Sequence, residues 1–255
     1  LMKIGLEYEG VIHWQKTGDI VRWSDIPMGV RKTIKRIASF GYSHENIQDP
    51  CDNYDCLAEV RTIPMTTLTA RDILFTLFTE LRRTHEAFKY CGYVINWAEE
   101  KIPDDLHKKI QHDLDHPTGD RPKIKKYTQT IVNGTVRPFV NVGNKYRGGG
   151  LHINVSSIPC ILIPGFVMRL HESLRQYLDT DFKSHYRTNL LFRHRLDGTD
   201  SIAEYMSFGF NLKNKKSTKE PVWHQSFDLV RHHFHWVELM LGEINEFVKA
   251  AKEIK

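Results

Sequence analysis

Two glutamates near the start of the chain are the first residues whose spacing suggests chemistry. Glu7 and Glu9 are separated by one residue in a segment where polar and apolar side chains alternate. A β-strand there would place both carboxylates on one face and the apolar Leu6 and Tyr8 on the other. Two carboxylates about 6 to 7 Å apart repel each other by on the order of 2 to 3 kcal/mol at an effective dielectric constant of about 20. A divalent cation bound between them would offset this repulsion, whereas a solvated outer strand face is the simpler alternative.

Further acidic residues follow in a second segment. Asp52 lies in a turn that contains several Asp and Asn residues, seven positions before Glu59. From Leu57 to Thr62 the apolar and polar positions alternate, so Glu59 and Arg61 share one face of a predicted strand. In the alternative interpretation, Asp52 belongs only to the turn and Glu59 pairs with Arg61 across the pleat.

A basic, glycine-rich segment leads into another predicted strand, and its members are Lys145, Arg147, Gly148, Gly149 and Gly150. Glycines allow a backbone to approach a ligand closely, and free N–H groups beside basic side chains favour phosphate. A flexible hinge is the alternative for this run. In the strand that follows, His152 lies on the polar face, either as a site residue or as an ordinary polar residue.

Three arginines occur within nine positions, namely Arg187, Arg193 and Arg195. Their guanidinium groups could clamp the oxygens of a phosphoryl group during its transfer, or they could belong to a solvated basic loop. The segment 202–208 follows as a predicted strand and carries Glu204.

The elements that must position these residues can be read from periodicity and turn signals. Alternation predicts strands at 3–10, 20–23, 57–62, 93–97, 127–132, 135–142, 151–156 and 202–208. Asn133-Gly134 is a strong hairpin signal, so the middle of the chain is predicted to be antiparallel sheet. Helical spacing predicts helices at 30–40, 69–90, 104–114, 164–178 and 222–255. The histidines in and after the third of these helices are expected at the surface, and they are His107, His112 and His116. Residues 1–255 are therefore predicted to form a single α+β domain that ends in a long helix.

Composition limits the class of protein. The chain has 255 residues, of which 40% are hydrophobic and 26% charged, which is typical of a globular domain. No apolar run reaches the ~18 residues of a membrane span, so a cytoplasmic protein without a membrane partner is expected. The four cysteines match no disulfide framework and are expected to be reduced. A net charge of +5 suits nucleotide phosphates and leaves nucleic acid open as a partner.

Taken together, the motifs resemble those of the glutamine-synthetase-like carboxylate-amine ligases. They are similar to motifs of the glutamate-cysteine ligases and of the small phage and bacterial amidoligases. The resemblance runs through Glu7-x-Glu9, Asp52 with Glu59, Gly150-Leu-His152 and Glu204 in matching order, over about residues 2–210. It implies a curved antiparallel sheet with helices packed on one face, as in the glutamine synthetase/guanido kinase-like catalytic domain.

The resemblance also implies ATP and two or three Mg²⁺ ions as cofactors, with Mn²⁺ as a substitute. The matching metal ligands are Glu7, Glu9, Asp52, Glu59, His152 and Glu204. The positions matching catalytic residues are His152, Glu204, Arg187, Arg193 and Arg195, and the phosphate or nucleotide would be bound by Arg61, Lys145, Arg147 and Gly148 to Gly150. One departure is Met206, since similar proteins usually have an arginine two positions after the last glutamate.

The chemistry expected of such a site is amide bond formation. A carboxylate has no usable leaving group, but its phosphorylation by ATP gives an acyl phosphate that an amine can attack. Hard oxygen ligands suit the Mg²⁺ that neutralises the phosphate charge. The partners would be a small-molecule or peptide carboxylate and an amine, and a homo-oligomer stays open. The alternatives are a metal-dependent nuclease or phosphoesterase, and a non-catalytic ATP- or nucleic-acid-binding protein, which Met206 favours.

Overall fold

The computed structural model describes residues 4–38, 54–62, 70–115, 127–132, 135–138, 145–155, 186–195 and 206–212, with the helical positions 242, 246, 249 and 250. In chain order the elements are β1 (Ile4–Trp14), a 3₁₀ turn (Trp23–Asp25), α1 (Met28–Ala38), β2 (Leu57–Arg61), α2 (Ala70–Tyr90), β3 (Tyr93–Asn96), β4 (Glu100–Lys101), α3 (Asp104–Asp115), β5 (Tyr127–Val132), β6 (Thr135–Pro138), β7 (Tyr146–Arg147), β8 (Gly150–Val155), β9 (Tyr186–Arg195) and β10 (Met206–Leu212). Helices and antiparallel strands are thus combined, and the predicted α+β class is confirmed at this level.

The main sheet is built around β1. Its strand order is β2-β1-β8-β10-β9-β5-β6, and β3 also pairs with β1. Each of these pairs is antiparallel. One edge of β1 pairs with β2 from Glu7 to Val11. The opposite edge pairs with β8 from Ile4 to Tyr8 and with β3 from Val11 to Trp14. A short second sheet is formed by β4 and β7.

The larger core lies between one face of β1 and the helix α2. Leu6, Tyr8 and Ile12 alternate along β1 and are fully buried, as the sequence pattern predicted. On α2 the buried side chains recur at helical spacing and include Leu77, Leu81, Ala87 and Phe88. Trp97 links the two layers, because it accepts a hydrogen bond from Tyr8 Oη at its carbonyl (3.3 Å) and directs its indole Nε1 at His85 Nδ1 (3.4 Å).

A smaller core lies on the opposite face of β1, under α3. It contains Val11, Tyr54, Cys56, Leu57, Ile102 and Ile110. The buried Arg22 fastens it, since Nε lies 2.7 Å from Asp55 Oδ2 and Nη2 lies 2.6 Å from Asp113 Oδ2 on α3. The sheet around β1 therefore has apolar cover on both sides, but α3 covers only one end of this second face.

Several sequence predictions can be compared with these elements. The hairpin around Asn133-Gly134 is confirmed by the pairing of Val132 with Thr135, and α2, α3 and β2 are found where they were expected. The predicted strand 20–23 is wrong, because only Ile20 forms a bridge and the chain then makes the 3₁₀ turn. Asp55 stabilises that turn by accepting the N–H of Trp23 at its carbonyl (2.5 Å) and the N–H of Ser24 at its carboxylate (3.2 Å).

Two further predictions concern residues at the margins of the described chain. The helix 164–178 and most of the helix 222–255 lie outside the described residues, although positions 242, 246, 249 and 250 are helical.

Within the described ranges, every helix falls short of the length and apolar character needed to cross a bilayer.

Candidate functional site

Four predicted site residues, three glutamates and one arginine, lie on the same face of β1 and β2. In the register of these strands Glu9 is opposite Glu59, and Glu7 is opposite Arg61. Residues directly opposite each other in an antiparallel pair share a face. We call this set of Glu7, Glu9, Glu59 and Arg61 the carboxylate face; it is the face of β1 opposite to α2, next to the smaller core.

Arg61 connects two of the three carboxylates. Its Nη2 donates to Glu59 Oε2 at 2.5 Å, and its Nε lies 3.7 Å from Glu7 Oε1. The Glu59 side chain is 5% exposed and that of Glu7 is 17% exposed, whereas Arg61 is 42% exposed. The pairing of Glu59 with Arg61, which the sequence left as an alternative, is therefore present. The Arg61 guanidinium therefore offsets part of the negative charge of Glu59 and Glu7.

The next strand brings position 152 beside Glu7. In the register of β1 and β8, His152 is opposite Glu7, and β10 places Gly209 on the other side of His152. The two sequence motifs are 145 positions apart but occupy one row across the sheet. Position 152 therefore belongs to the carboxylate face, as the alternation of β8 predicted.

The three arginines lie in β9, which contradicts the alternative of a basic loop. Arg193 is opposite Ser207 of β10, and Ser207 is opposite Asn154 of β8, so position 193 lies on the carboxylate face. Arg195 follows it at the next position of that face, and Arg187 pairs with Asn211 beyond an irregularity in the pairing of β9 with β10. Three strand spacings separate β9 from β1, which corresponds to about 15 Å. The backbone of β9 is therefore too far from the backbone of β1 at Glu7 for direct contact.

The glycine-rich segment approaches β1. Gly148 and Gly149 are buried and have positive φ angles of 81° and 67°. The N–H of Gly149 donates to the carbonyl of Glu9 at 2.8 Å. The Gly149 amide is therefore bonded to β1. The close approach that requires glycine at this position is an approach to that strand.

The two basic side chains of this segment contact α3 and its neighbours. Lys145 Nζ lies 2.9 Å from Asp104 Oδ2, and this hydrogen bond lowers the pKa of the Asp104 carboxyl. Arg147 Cζ lies 4.4 Å from the centre of the Tyr54 ring, a cation–π contact. Its Nε is buried, and none of the residues that the structure describes forms a hydrogen bond with it. Arg147 therefore borders the smaller core as well as the sheet.

His107 was expected at the surface, and this prediction is wrong. Only 7% of it is exposed, and its Nδ1 lies 2.7 Å from Tyr54 Oη. Burial and the nearby Arg147 and Lys145 charges lower the pKa of His107, so its ring is neutral and can accept the phenol hydrogen. Burial also raises the pKa of the Cys56 thiol to about 12, so this cysteine is not a nucleophile at neutral pH.

Sequence reasoning overlooked His13, which continues the alternation of β1 beyond Val11. Its Nε2 lies 2.6 Å from Glu100 Oε1, and its Nδ1 lies 2.9 Å from the carbonyl of Gly18. Both ring nitrogens face acceptors, which favours the doubly protonated ring. Burial opposes the charge, but the hydrogen bonds to Glu100 and Gly18 outweigh it, and the pKa of His13 is raised. The alternation placed His13 on its face, but nothing in the sequence indicated a partner 87 positions away.

This pair should make stability depend on pH. Because the pKa of His13 is higher in the folded than in the unfolded state, its contribution is complete below the unfolded pKa of about 6.5 and is lost as pH rises through the folded pKa. We expect His13→Gln to cost about 3 kcal/mol of unfolding free energy at pH 5.5 and clearly less at pH 9. Urea unfolding at both pH values measures the difference.

The control for this experiment is His112→Gln, since the His112 side chain is 71% exposed. It should change the unfolding free energy little at either pH. An equal cost of His13→Gln at pH 5.5 and pH 9 would show that the charge of His13 contributes nothing.

The described part of the predicted metal site is the three glutamates. Among the described side chains, no group of three or more His, Cys, Asp or Glu residues is arranged to hold a metal ion. Asp52 and Glu204 lie outside the described residues, and His152 is placed by backbone register. The oxygen donors of Glu7, Glu9 and Glu59 suit a hard cation, but Arg61 already neutralises part of their charge.

A scan of protein-family models and searches of curated proteins and of solved structures find no match for this chain. A function can therefore be inferred only from the carboxylate face and from the motif resemblance described above.

Proposed function

We propose that the chain is an ATP-dependent carboxylate-amine ligase with a glutamine synthetase/guanido kinase-like catalytic fold and a curved main sheet. The observation that carries this proposal is the register of three strands, which places Glu9 opposite Glu59 and position 152 opposite Glu7. Motifs that are far apart in the sequence thus share one face of the sheet, and this supports the proposal. The order of the motifs along the chain supports the same function.

Glu7, Glu9 and Glu59 would contribute oxygen ligands to Mg²⁺ or Mn²⁺, and the other predicted ligands would complete the site, because carboxylate oxygens are the ligands that these hard cations prefer. When bound, the metal neutralises phosphate charge and holds the reactants in line. Arg61 competes with it for the carboxylates of Glu7 and Glu59. Since Arg61 is partly exposed, its guanidinium can turn away from the two glutamates towards solvent or towards a phosphate. Arg61 could therefore pair with the glutamates in the absence of nucleotide and bind phosphate in its presence.

The reaction is written as two transfers. A carboxylate oxygen of the substrate attacks the terminal phosphorus of ATP, the bond from that phosphorus to the bridging oxygen breaks, and ADP leaves. The amine nitrogen then attacks the acyl carbon, loses a proton, and displaces phosphate to leave the amide. Arg187, Arg193 and Arg195 are proposed to stabilise the charge on the phosphoryl oxygens from β9.

Met206, where similar proteins usually have an arginine, lies on the other face of the sheet. It pairs with Val155, which in turn pairs with Ile4, so position 206 lies on the face of Leu6 and not on the carboxylate face. An apolar residue there continues the alternation. Glu204 has the same parity as Met206, so its role as a metal ligand requires a break in the alternation between these two positions.

The test is a search for the product. The protein is incubated with ATP, Mg²⁺ and a pool of carboxylate and amine metabolites, and the mixture is analysed by mass spectrometry. We expect ADP formation that requires both a carboxylate and an amine, and a product lighter by one water than two inputs combined. ATP that is bound but never turned over with any amine would contradict an enzyme. Cleavage of plasmid DNA without ATP would instead indicate a nuclease.

A further inference from the structure

The edge of β1 changes its partner strand at Glu9. On this edge β8 pairs as far as Tyr8, and β3 pairs from Val11 onward. Glu9 and Gly10 lie between these two strands, where the segment that joins β7 to β8 crosses. Gly149 donates its N–H to the Glu9 carbonyl at 2.8 Å and thereby holds the backbone of Glu9 at this junction.

Gly148 makes this approach possible. Its φ of +81° is in the left-handed region that favours glycine. A Cβ atom at this position would lie 3.0 Å from Val11 Cγ2 and 3.1 Å from the carbonyl oxygen of Ala98. Both neighbours are held in place, because Val11 and Ala98 are fully buried. A side chain at position 148 would therefore push the segment and β1 apart.

The segment cannot easily absorb such a displacement, because it is anchored at both ends. Before the glycines, Arg147 pairs with Glu100 in the short sheet and lies over the Tyr54 ring. After them, Leu151 pairs with Tyr8 of β1. Any strain at Gly148 is thus transmitted to the backbone of β1 next to Glu9.

We propose that Gly148 and Gly149 are positioning residues for the Glu9 carboxylate, so that this glycine pair contacts the edge of β1 at Glu9 instead of cradling a phosphate. The inference rests on the proposed function, in which Glu9 is a metal ligand. Residues that orient a metal ligand typically contribute 10- to 100-fold to metal affinity. The effect of replacing Gly148 should therefore appear in metal binding as well as in stability.

The experiment measures Mn²⁺ affinity of the full chain by isothermal titration calorimetry, under conditions where each variant is folded. We expect Gly148→Ala to bind Mn²⁺ 10- to 100-fold more weakly than the wild type. The matched control is Gly92→Ala, because Gly92 also has a positive φ (85°) but has nothing within 4 Å of the added Cβ. It carries the same kind of backbone cost, and its Mn²⁺ affinity should equal that of the wild type.

The result that would overturn the inference is Mn²⁺ binding by Gly148→Ala that matches Gly92→Ala. If Gly148→Ala does not fold, Val11→Ala is compared with Val11→Ala/Gly148→Ala, since removal of Val11 Cγ2 relieves the nearest contact while that with the Ala98 oxygen remains. Weaker binding by the double variant supports the inference, and equal binding overturns it. A failure of the proposed function would look different, because Glu9→Gln would then leave Mn²⁺ binding unchanged.

Discussion

Glu9→Gln is expected to abolish ATP turnover, with a loss of at least about 100-fold, and to leave the melting temperature level or higher. Glutamine keeps the size of the side chain but removes the charge that a metal ion needs. It also removes one of three carboxylates that lie on one face of the sheet, so the electrostatic repulsion among them falls. ATP turnover and thermal unfolding of the same preparation measure both effects. A large loss of stability with turnover intact would mean that Glu9 is a structural residue.

Glu59→Gln should also abolish turnover, but its effect on stability should differ from that of Glu9→Gln. Because the Glu59 side chain is 5% exposed and accepts a hydrogen bond from Arg61, its replacement weakens an ion pair whose carboxylate is buried and should lower the melting temperature. The difference in melting temperature between Glu9→Gln and Glu59→Gln therefore distinguishes the effect of carboxylate repulsion from the effect of ion pairing on the same face.

A matched control for both variants is Glu80→Gln. Glu80 pairs with Arg83 on α2 at 3.1 Å and is part of no strand of the carboxylate face. Its loss should cost no more than about 0.5 kcal/mol of stability and leave turnover unchanged. Loss of turnover in this variant would mean that the assay responds to stability and not to the carboxylate face.

Gly10→Ala is expected to have the largest effect on stability, a loss of about 3 kcal/mol or more in unfolding free energy. A Cβ at this position would lie 2.5 Å from Ile95 Cγ2, 2.8 Å from the carbonyl oxygen of Asn96 and 2.8 Å from Trp97 Cε3. Ile95 and Trp97 are fully buried and Asn96 contributes a backbone atom, so none of the three can move aside cheaply. Urea unfolding followed by far-UV circular dichroism measures the loss.

Gly5→Ala on the same strand is the control. The nearest atom to its added Cβ is the Thr62 carbonyl oxygen at 3.9 Å, an ordinary van der Waals distance. Alanine should therefore be tolerated there within about 0.5 kcal/mol, since it also reduces the conformational entropy of the unfolded chain. If Gly5→Ala and Gly10→Ala unfolded at the same urea concentration, the close packing of β1 against β3 would be contradicted.

Much of the local structure followed from the sequence because its causes are local. The two-residue alternation of β1 predicted that Leu6 and Tyr8 lie on the face opposite to Glu7 and Glu9. Leu6 and Tyr8 are indeed fully buried. Asn133-Gly134 predicted the hairpin because tight two-residue turns favour these residue types, and the pairing of Val132 with Thr135 agrees with it. In such cases neighbouring residues contain the information that decides the conformation.

The site depended on information that neighbouring residues do not contain. Whether Glu9 lies opposite Glu59 is a question of register between two strands, and a slip by one residue would have sent Glu59 to the other face. His107 was placed at the surface because its helix looked polar, but Tyr54 and Arg147 cover it from other parts of the chain. A polar residue can be buried whenever the fold supplies its partner.

By itself, the sequence determined which side chains alternate, where the chain turns and which types of residue are available for metal and phosphate. Only the tertiary structure decided that Arg61 lies between Glu59 and Glu7, that Gly149 bonds to Glu9, and that position 152 stands beside Glu7. The physical reason is that alternation and turns arise from the steric preferences of adjacent residues, whereas register and ion pairing arise from the packing of segments that are distant in the chain.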